Sequence, residues 1–321
     1  ISRHHMKLTV LTYAILHLLN QISIFEPFLN KFFKLQYKIP GSEYYDIGID
    51  DSYFVFNWVI ILIFLRSFFM SYMLGPIAIQ IFHIVRPKAV QRFKEQGWSL
   101  FYYGVSWSYG YYLYYHSDYF FQCDNIYVGW PHDKLSFSFK CYYLVQMSCW
   151  LQQIFVLNIE EKRKDYIHMF SHHIITCALI IGSYYYYFTR IGHIILVLMD
   201  VVDVFLSLAK MLKYCGYTTV CDAAFVVFLI SWILLRHIAY NYLFYHAWSK
   251  ARILMDYNCR DVLARGIIPK RCYTDRSIDI FLILLGCLQI VAIIWMFLIL
   301  KVAYRVITGD GAEDVRSDSE D

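Results

Sequence analysis

Residues 166–188 read YIHMFSHHIITCALIIGSYYYYF, and residues 191–214 read IGHIILVLMDVVDVFLSLAKMLKY. A spanning helix needs about 20 mostly apolar residues, and each run supplies them. In hydrocarbon the backbone must satisfy its own hydrogen bonds, so both runs are expected to be helices. The link between them, around Thr189–Gly192, admits only antiparallel neighbours. Neither run is purely apolar. His172 and His173 interrupt the first, Asp200 and Asp203 the second. Ionisable groups inside a spanning helix are costly, which makes them functional candidates. His172 lies six residues past Tyr166, roughly 9 Å into its helix, and Asp203 lies eleven before Tyr214, roughly 16 Å from the same surface. The depths are compatible. Asp200 and Asp203, three apart, share a helical face. The adjacent histidines diverge by about 100°, so both reach a common cavity in unequal roles. Simple His–Asp pairing between helices would also produce this pattern. Two imidazoles and two carboxylates also suit iron or zinc, and His168 one turn before His172 keeps that open on spacing. The chain has one His-His pair and not several separated clusters, so no metal is expected.

The rest of the chain extends the same architecture. Of 321 residues, 59% are hydrophobic and 17% charged, too apolar for an ordinary soluble domain. Aromatic residues make up 20%, which suits interfacial belts. A net charge of +4 is too small to suggest nucleic acid as a partner. Eight candidate spans follow: Leu8–Phe25, Tyr53–Phe82, Trp98–Tyr115, Lys140–Ile159, Tyr166–Phe188, Ile191–Tyr214, Cys221–Ala247 and Ile278–Tyr304. The expected fold is an all-α integral membrane protein of about eight transmembrane helices, six of them forming a bundle around a central cavity. The third span, dominated by Tyr, Gly and Ser, is the one an interfacial segment would also explain. The chain begins at Ile1, and a segment preceding it is expected.

Basic residues set the orientation. Arg3, Lys7, Arg86, Lys88, Arg92, Lys94, Lys162, Arg163, Lys164, Lys210 and Lys213 all fall on one side of an eight-span arrangement, taken as cytosolic, with both termini there. The basic loop 248–277 falls on the far side, against the rule. Cys123, Cys259 and Cys272 lie in loops placed on that lumenal side, where disulfides persist. A Cys259–Cys272 bridge is expected there, with free thiols as the alternative.

Residues 162–214 also resemble a known family. Lys162-Arg163-Lys164-Asp165, His172-His173 with Thr176, Ser183-Tyr184, Arg190, Gly192, Asp200, Asp203, Ala209-Lys210 and Tyr214 look like the Lag motif of ceramide synthases, within the TRAM-Lag-CLN8 membrane domain. The likeness extends more loosely from the second span through Arg236 to the eighth. The leading span and the acidic, Ser-rich tail resemble the fungal branch. Met199 and Ser207 depart from animal members, which usually carry His and an acidic residue there. The resemblance implies a leading helix and loop over 1–52, a catalytic membrane domain over 53–305 and a disordered cytosolic tail over 306–321. It implies acyl-CoA-dependent N-acylation of sphinganine or phytosphingosine, with very-long-chain acyl groups. Acyl-CoA enters as co-substrate, and no bound cofactor is expected.

Forming an amide from an amine and a thioester needs a base and an activated carbonyl. A histidine serves as that base or as an acyl-accepting nucleophile. By resemblance, His172 is expected in that role with His173 assisting, while Asp200 and Asp203 orient imidazole and bind the amine. Lys162, Arg163, Lys164, Tyr184, Arg190, Lys210 and Arg236 are expected to contact substrate. Endoplasmic reticulum residence, a small single-span accessory subunit and possible pairing of two catalytic chains are further implications. A lipid-binding or transport protein of the same fold and a metal-dependent oxygenase are the rival readings. In the tail, Ser317 and Ser319 within VRSDSED suit an acidophilic kinase.

Overall fold

The computed structural model describes residues 11–12, 26–159, 165–266 and 271–308. The expected span Leu8–Phe25 lies almost wholly outside them, as do Lys162, Arg163, Lys164, Ser317 and Ser319.

The described chain is helical almost throughout. A short helix α1, Glu26–Phe33, precedes strand β1, Tyr44–Tyr45, which pairs antiparallel with β2, Leu135–Ser136. The long helices are α2 (Asp51–Ile81), α3 (Pro87–Tyr115), α4 (Phe137–Ile159), α5 (Tyr166–Tyr185), α6 (Thr189–Tyr214) and α7 (Thr218–Leu254). A short α8, Cys259–Ala264, and a long α9, Asp275–Thr308, complete the chain. Five of these, α2, α5, α6, α7 and Asp275–Val306 of α9, are long and apolar enough to cross a membrane. The molecule is thus a multi-pass membrane protein whose described residues are almost wholly helical. Helices α3 and α4 cover the third and fourth expected spans, but Tyr, Gly and Ser in one and Gln, Asn and Lys in the other leave them less apolar.

Boundaries differ from expectation in two instructive places. Helix α3 starts at Pro87, well before Trp98, because proline at a first helical position gives up only an amide that has no partner there. Lys88, Arg92 and Lys94 therefore sit on helix, and Arg92 pairs with Glu95 at 3.2 Å. The α5–α6 link is Tyr186–Phe188, upstream of the expected Thr189–Gly192. Tyr187 takes φ 61°, and the amides of Tyr186 and Phe188 close back on Gly182 and Ser183 carbonyls at 2.9 and 2.8 Å. This left-handed residue satisfies the helix's last carbonyls and reverses the chain in three residues. Arg190 and Gly192 consequently belong to the first turn of α6.

The described residues fall into two compact units. One holds the chain up to Ser108 with Lys134–Gln153 and Asp203–Phe228; the other holds Tyr109–Asp133, Ile154–Val202 and the chain from Leu229 on. In the first, Gly75 and Pro76 interrupt α2, which winds as π-helix on either side, over Phe69–Leu74 and Ile77–Ile81. Proline removes a ladder donor, and the looser winding accommodates the loss. Two fully buried charges of this unit pair at the start of α4, Lys140 with Asp51. The ammonium contacts Asp51 at 2.8 Å and donates to the carbonyls of Gln36 and Asp46 at 2.8 and 2.7 Å.

In the second unit, Tyr240, Leu285 and Leu288 form a buried centre. Against it pack Ile175 and Leu179 of α5, Ile195 and Met199 of α6, and Phe244 of α7. The Tyr240 hydroxyl donates to the Leu285 carbonyl at 2.8 Å, tying α7 to α9. A disulfide joins Cys259 to Cys272, and the Asn258 side chain caps α8 by accepting from the Arg260 amide.

Candidate active site

Helix α5 carries the two histidines within one turn before Ile175, which packs against the apolar centre. His173 is buried, and its Nδ1 lies 2.8 Å from the Met169 carbonyl one turn back. A carbonyl only accepts, so neutral His173 holds its proton on Nδ1 and keeps the lone pair on Nε2. The fold thus fixes a tautomer suited to accepting a proton. His172 is partly buried, with its ring edge-to-face against His173 at 5.5 Å and against Trp295 of α9 at 5.0 Å.

Asp200 is fully buried on α6, and Asp203 follows three residues on along the same helix. Arg236 comes to the same turn of α6 from α7. Its guanidinium donates to the Met199 carbonyl at 3.3 Å and lies over the Trp232 ring at 4.3 Å. Trp232 and Arg236 sit in a π-helical stretch, Trp232–Ala239, that contains neither proline nor glycine. Such stretches recur at functional sites because the extra residue per turn redirects side chains. The next residue, His237, accepts from Trp232 Nε1 at 3.2 Å through Nε2, and Gln289 of α9 meets its Nδ1 at 2.9 Å. Trp232 also packs against Trp295 at 6.3 Å. His172, Trp295, Trp232 and Arg236 therefore form one continuous chain of ring contacts.

The remaining expected substrate contacts stand elsewhere. Tyr184 is fully buried twelve residues past His172, about 18 Å along α5. Arg190 begins α6 about 15 Å before Asp200 and is held by Asp118 at 3.0 Å, the Asn125 carbonyl and the Tyr119 ring. Lys210 lies about 15 Å beyond Asp200 on the same helix. His168 is exposed, and among the described residues no group of three or more His, Cys, Asp or Glu gathers as a metal site.

A sequence profile for the TLC domain matches residues 92–301, which spans both histidines, both aspartates and Trp295. A sphingosine N-acyltransferase of Schizosaccharomyces pombe is 40% identical over 298 residues, 92% of this chain and 74% of its own length. The chain belongs to this TLC-domain family of ceramide synthases. A ceramide synthase of Gibberella moniliformis is 35% identical over 315 residues, 92% of this chain and 74% of the relative. One from Saccharomyces cerevisiae is 36% identical over 295 residues, 91% and 70% respectively. Of the Lag-type motif residues, the fold sets His172 and His173 ring to ring with Thr176 one turn along α5, and Arg236 reaches the Met199 carbonyl beside Asp200. Trp295 and Trp232 escaped sequence reading because a tryptophan in an apolar run carries no mark of what it faces.

Proposed function

We propose that this chain joins a fatty acyl group to the amine of a sphingoid long-chain base, making ceramide at the His172–His173 pair. The observation that carries the reading is the His-His pair of α5, with His173 locked in the Nδ1–H tautomer, in a chain 40% identical to a sphingosine N-acyltransferase.

The chemistry follows from those groups. A long-chain base is an ammonium in water and must lose a proton before its nitrogen attacks. Asp200 and Asp203, on one face of α6, pair with that ammonium as it arrives. Imidazole then takes the proton, or His172 first accepts the acyl group and passes it to the amine. The acyl donor is acyl-CoA, whose polyanionic head stays at the cytosolic mouth near Lys162, Arg163 and Lys164. The acyl chain runs between the helices of an eight-span protein with six spans around a cavity. The protein resides in the endoplasmic reticulum membrane with cytosolic termini, favours very long acyl chains, and works with a small single-span accessory subunit and as a possible dimer of catalytic chains.

Purified protein incubated with acyl-CoA and sphinganine should release ceramide and free coenzyme A in equal amounts. His172→Ala and Asp203→Ala should abolish both products while the protein still inserts and elutes as folded. Near-normal turnover by either variant would remove that residue from the mechanism, and no ceramide from the wild type would sink the whole reading.

A further inference from the structure

Two polar groups next to His172 have no assigned work. Trp295 is 6% exposed, and its indole N–H is enclosed and donates to no group among the described residues. Thr176 is 9% exposed, and its hydroxyl is likewise enclosed and unpartnered among them. Each departs from habit. A buried indole N–H usually finds an acceptor, since leaving it unpaired is costly. A threonine within a helix usually returns its hydroxyl to the carbonyl four residues back, which for Thr176 is that of His172.

Their positions converge. Thr176 is one turn along α5 from His172 and so shares its face. Trp295 comes from α9 and sets its ring edge-to-face on His172, 5.0 Å between centroids at 71°. Behind Trp295 stands Trp232, under the Arg236 guanidinium. The indole is packed between the His172 and Trp232 rings. Two donors of different chemistry thus stand beside one imidazole, and apolar side chains such as Phe and Val would have stranded no polar atom there.

We propose that Trp295 Nε1–H and Thr176 Oγ1–H hold the carbonyl oxygen of the acyl group as it reacts beside His172. The inference rests on the acyltransfer reading above and names two further catalytic residues for it. When nitrogen attacks the thioester carbon, the C–N bond forms and the carbonyl π pair moves to oxygen. Collapse restores the C=O bond, breaks C–S and releases coenzyme A as thiolate. The proton lost by the amine passes to imidazole and then to that thiolate. If His172 itself first takes the acyl group, the same oxyanion forms twice at the same spot. Donors already aimed there act only where charge develops, so they raise the rate of the chemical step more than they raise substrate affinity.

Trp295→Phe keeps the ring contact with His172 and removes the N–H, and Thr176→Val keeps the shape and removes the hydroxyl. Each should lower kcat about 10²-fold, with KM for acyl-CoA and for sphinganine little changed and the thermal midpoint in detergent preserved. Wild-type kcat in a folded Trp295→Phe enzyme overturns the assignment of Trp295, as does a change confined to KM. Should Trp295→Phe fail to fold, Thr176→Val decides alone, and wild-type kcat there overturns the proposal. His172→Ala measured alongside separates the two levels. An inactive His172→Ala with both other variants at wild-type kcat sinks only the donor pair, whereas an active His172→Ala removes the acyltransfer site and this proposal together.

Discussion

Lys140 shows what a single residue contributes to such a protein. It opens an apolar run and reads as an interfacial cation, yet the fold turns it inward against Asp51, with both side chains fully excluded from solvent. Two carbonyls complete its shell, from Gln36 and Asp46, so the segment before α2 is fastened onto the start of α4. The Tyr37 and Tyr45 rings lie 5.6 and 5.7 Å from the ammonium and add to the enclosure. Removing one partner leaves the other charge buried and alone, which typically costs about 3–5 kcal/mol. Asp51→Ala should therefore lower the thermal midpoint in detergent markedly, whereas replacing the pair together, Asp51→Leu with Lys140→Met, should recover much of the loss. Equal midpoints for wild type and Asp51→Ala would show that the pair contributes little.

At the scale of elements, helices α5 and α9 decide whether His172 meets Trp295 at all. Gly182 lets them approach near the other end of α5: a Cβ there would come within 3.0 Å of the Phe281 ring. Phe281 has little room to yield, being held between Phe188 at 5.0 Å and Tyr186 at 6.0 Å. Gly182→Leu should force the helices apart and cost about 1–3 kcal/mol by overpacking. Activity should fall with it, because the displacement carries Trp295 away from His172. Gly182→Leu protein with an unaltered midpoint and unaltered turnover would mean that the α5–α9 approach does not position the site. The helices themselves were legible in the sequence. Apolar length and the rule that a membrane-buried backbone satisfies itself leave few alternatives. Their ends were less legible: Tyr187 in a left-handed conformation gives no compositional sign, so the α5–α6 link begins three residues before the expected Thr189–Gly192.

The whole molecule raises the question of sides. The proposed eight-span arrangement predicts a cytosolic 162–165 loop and a lumenal 248–277 loop. The second of these opposes the positive-inside tendency with seven Lys and Arg residues, Lys250, Arg252, Arg260, Arg265, Lys270, Arg271 and Arg276. Structure supplies a reason for some of that charge. Arg252 pairs with Asp279 and reaches Asp275, and Arg271 lies over the Tyr187 ring at 4.8 Å. Paired basic residues are poor reporters of topology. The Cys259–Cys272 disulfide in the same loop accords with an oxidising compartment. Single cysteines at Lys164 and Arg265, placed in a cysteine-depleted variant that retains activity, should be labelled by an impermeant thiol reagent from opposite sides of sealed vesicles. Labelling of both from one side would overturn the eight-span arrangement.

The sequence by itself determined the class of fold and marked the candidate site residues. Hydrocarbon permits little besides helices, and a charge buried in it stands out from its apolar neighbours, so His172, His173, Asp200 and Asp203 were visible without coordinates. Arg236 belonged with them by resemblance, but only the folded chain puts its guanidinium on the Met199 carbonyl, next to Asp200. The tautomer of His173, the inward turn of Lys140 and the placing of Trp295 against His172 were decided by tertiary structure alone. Each depends on which face of a helix meets which neighbour. An apolar run that is hydrophobic all round carries no periodicity from which that face could be read.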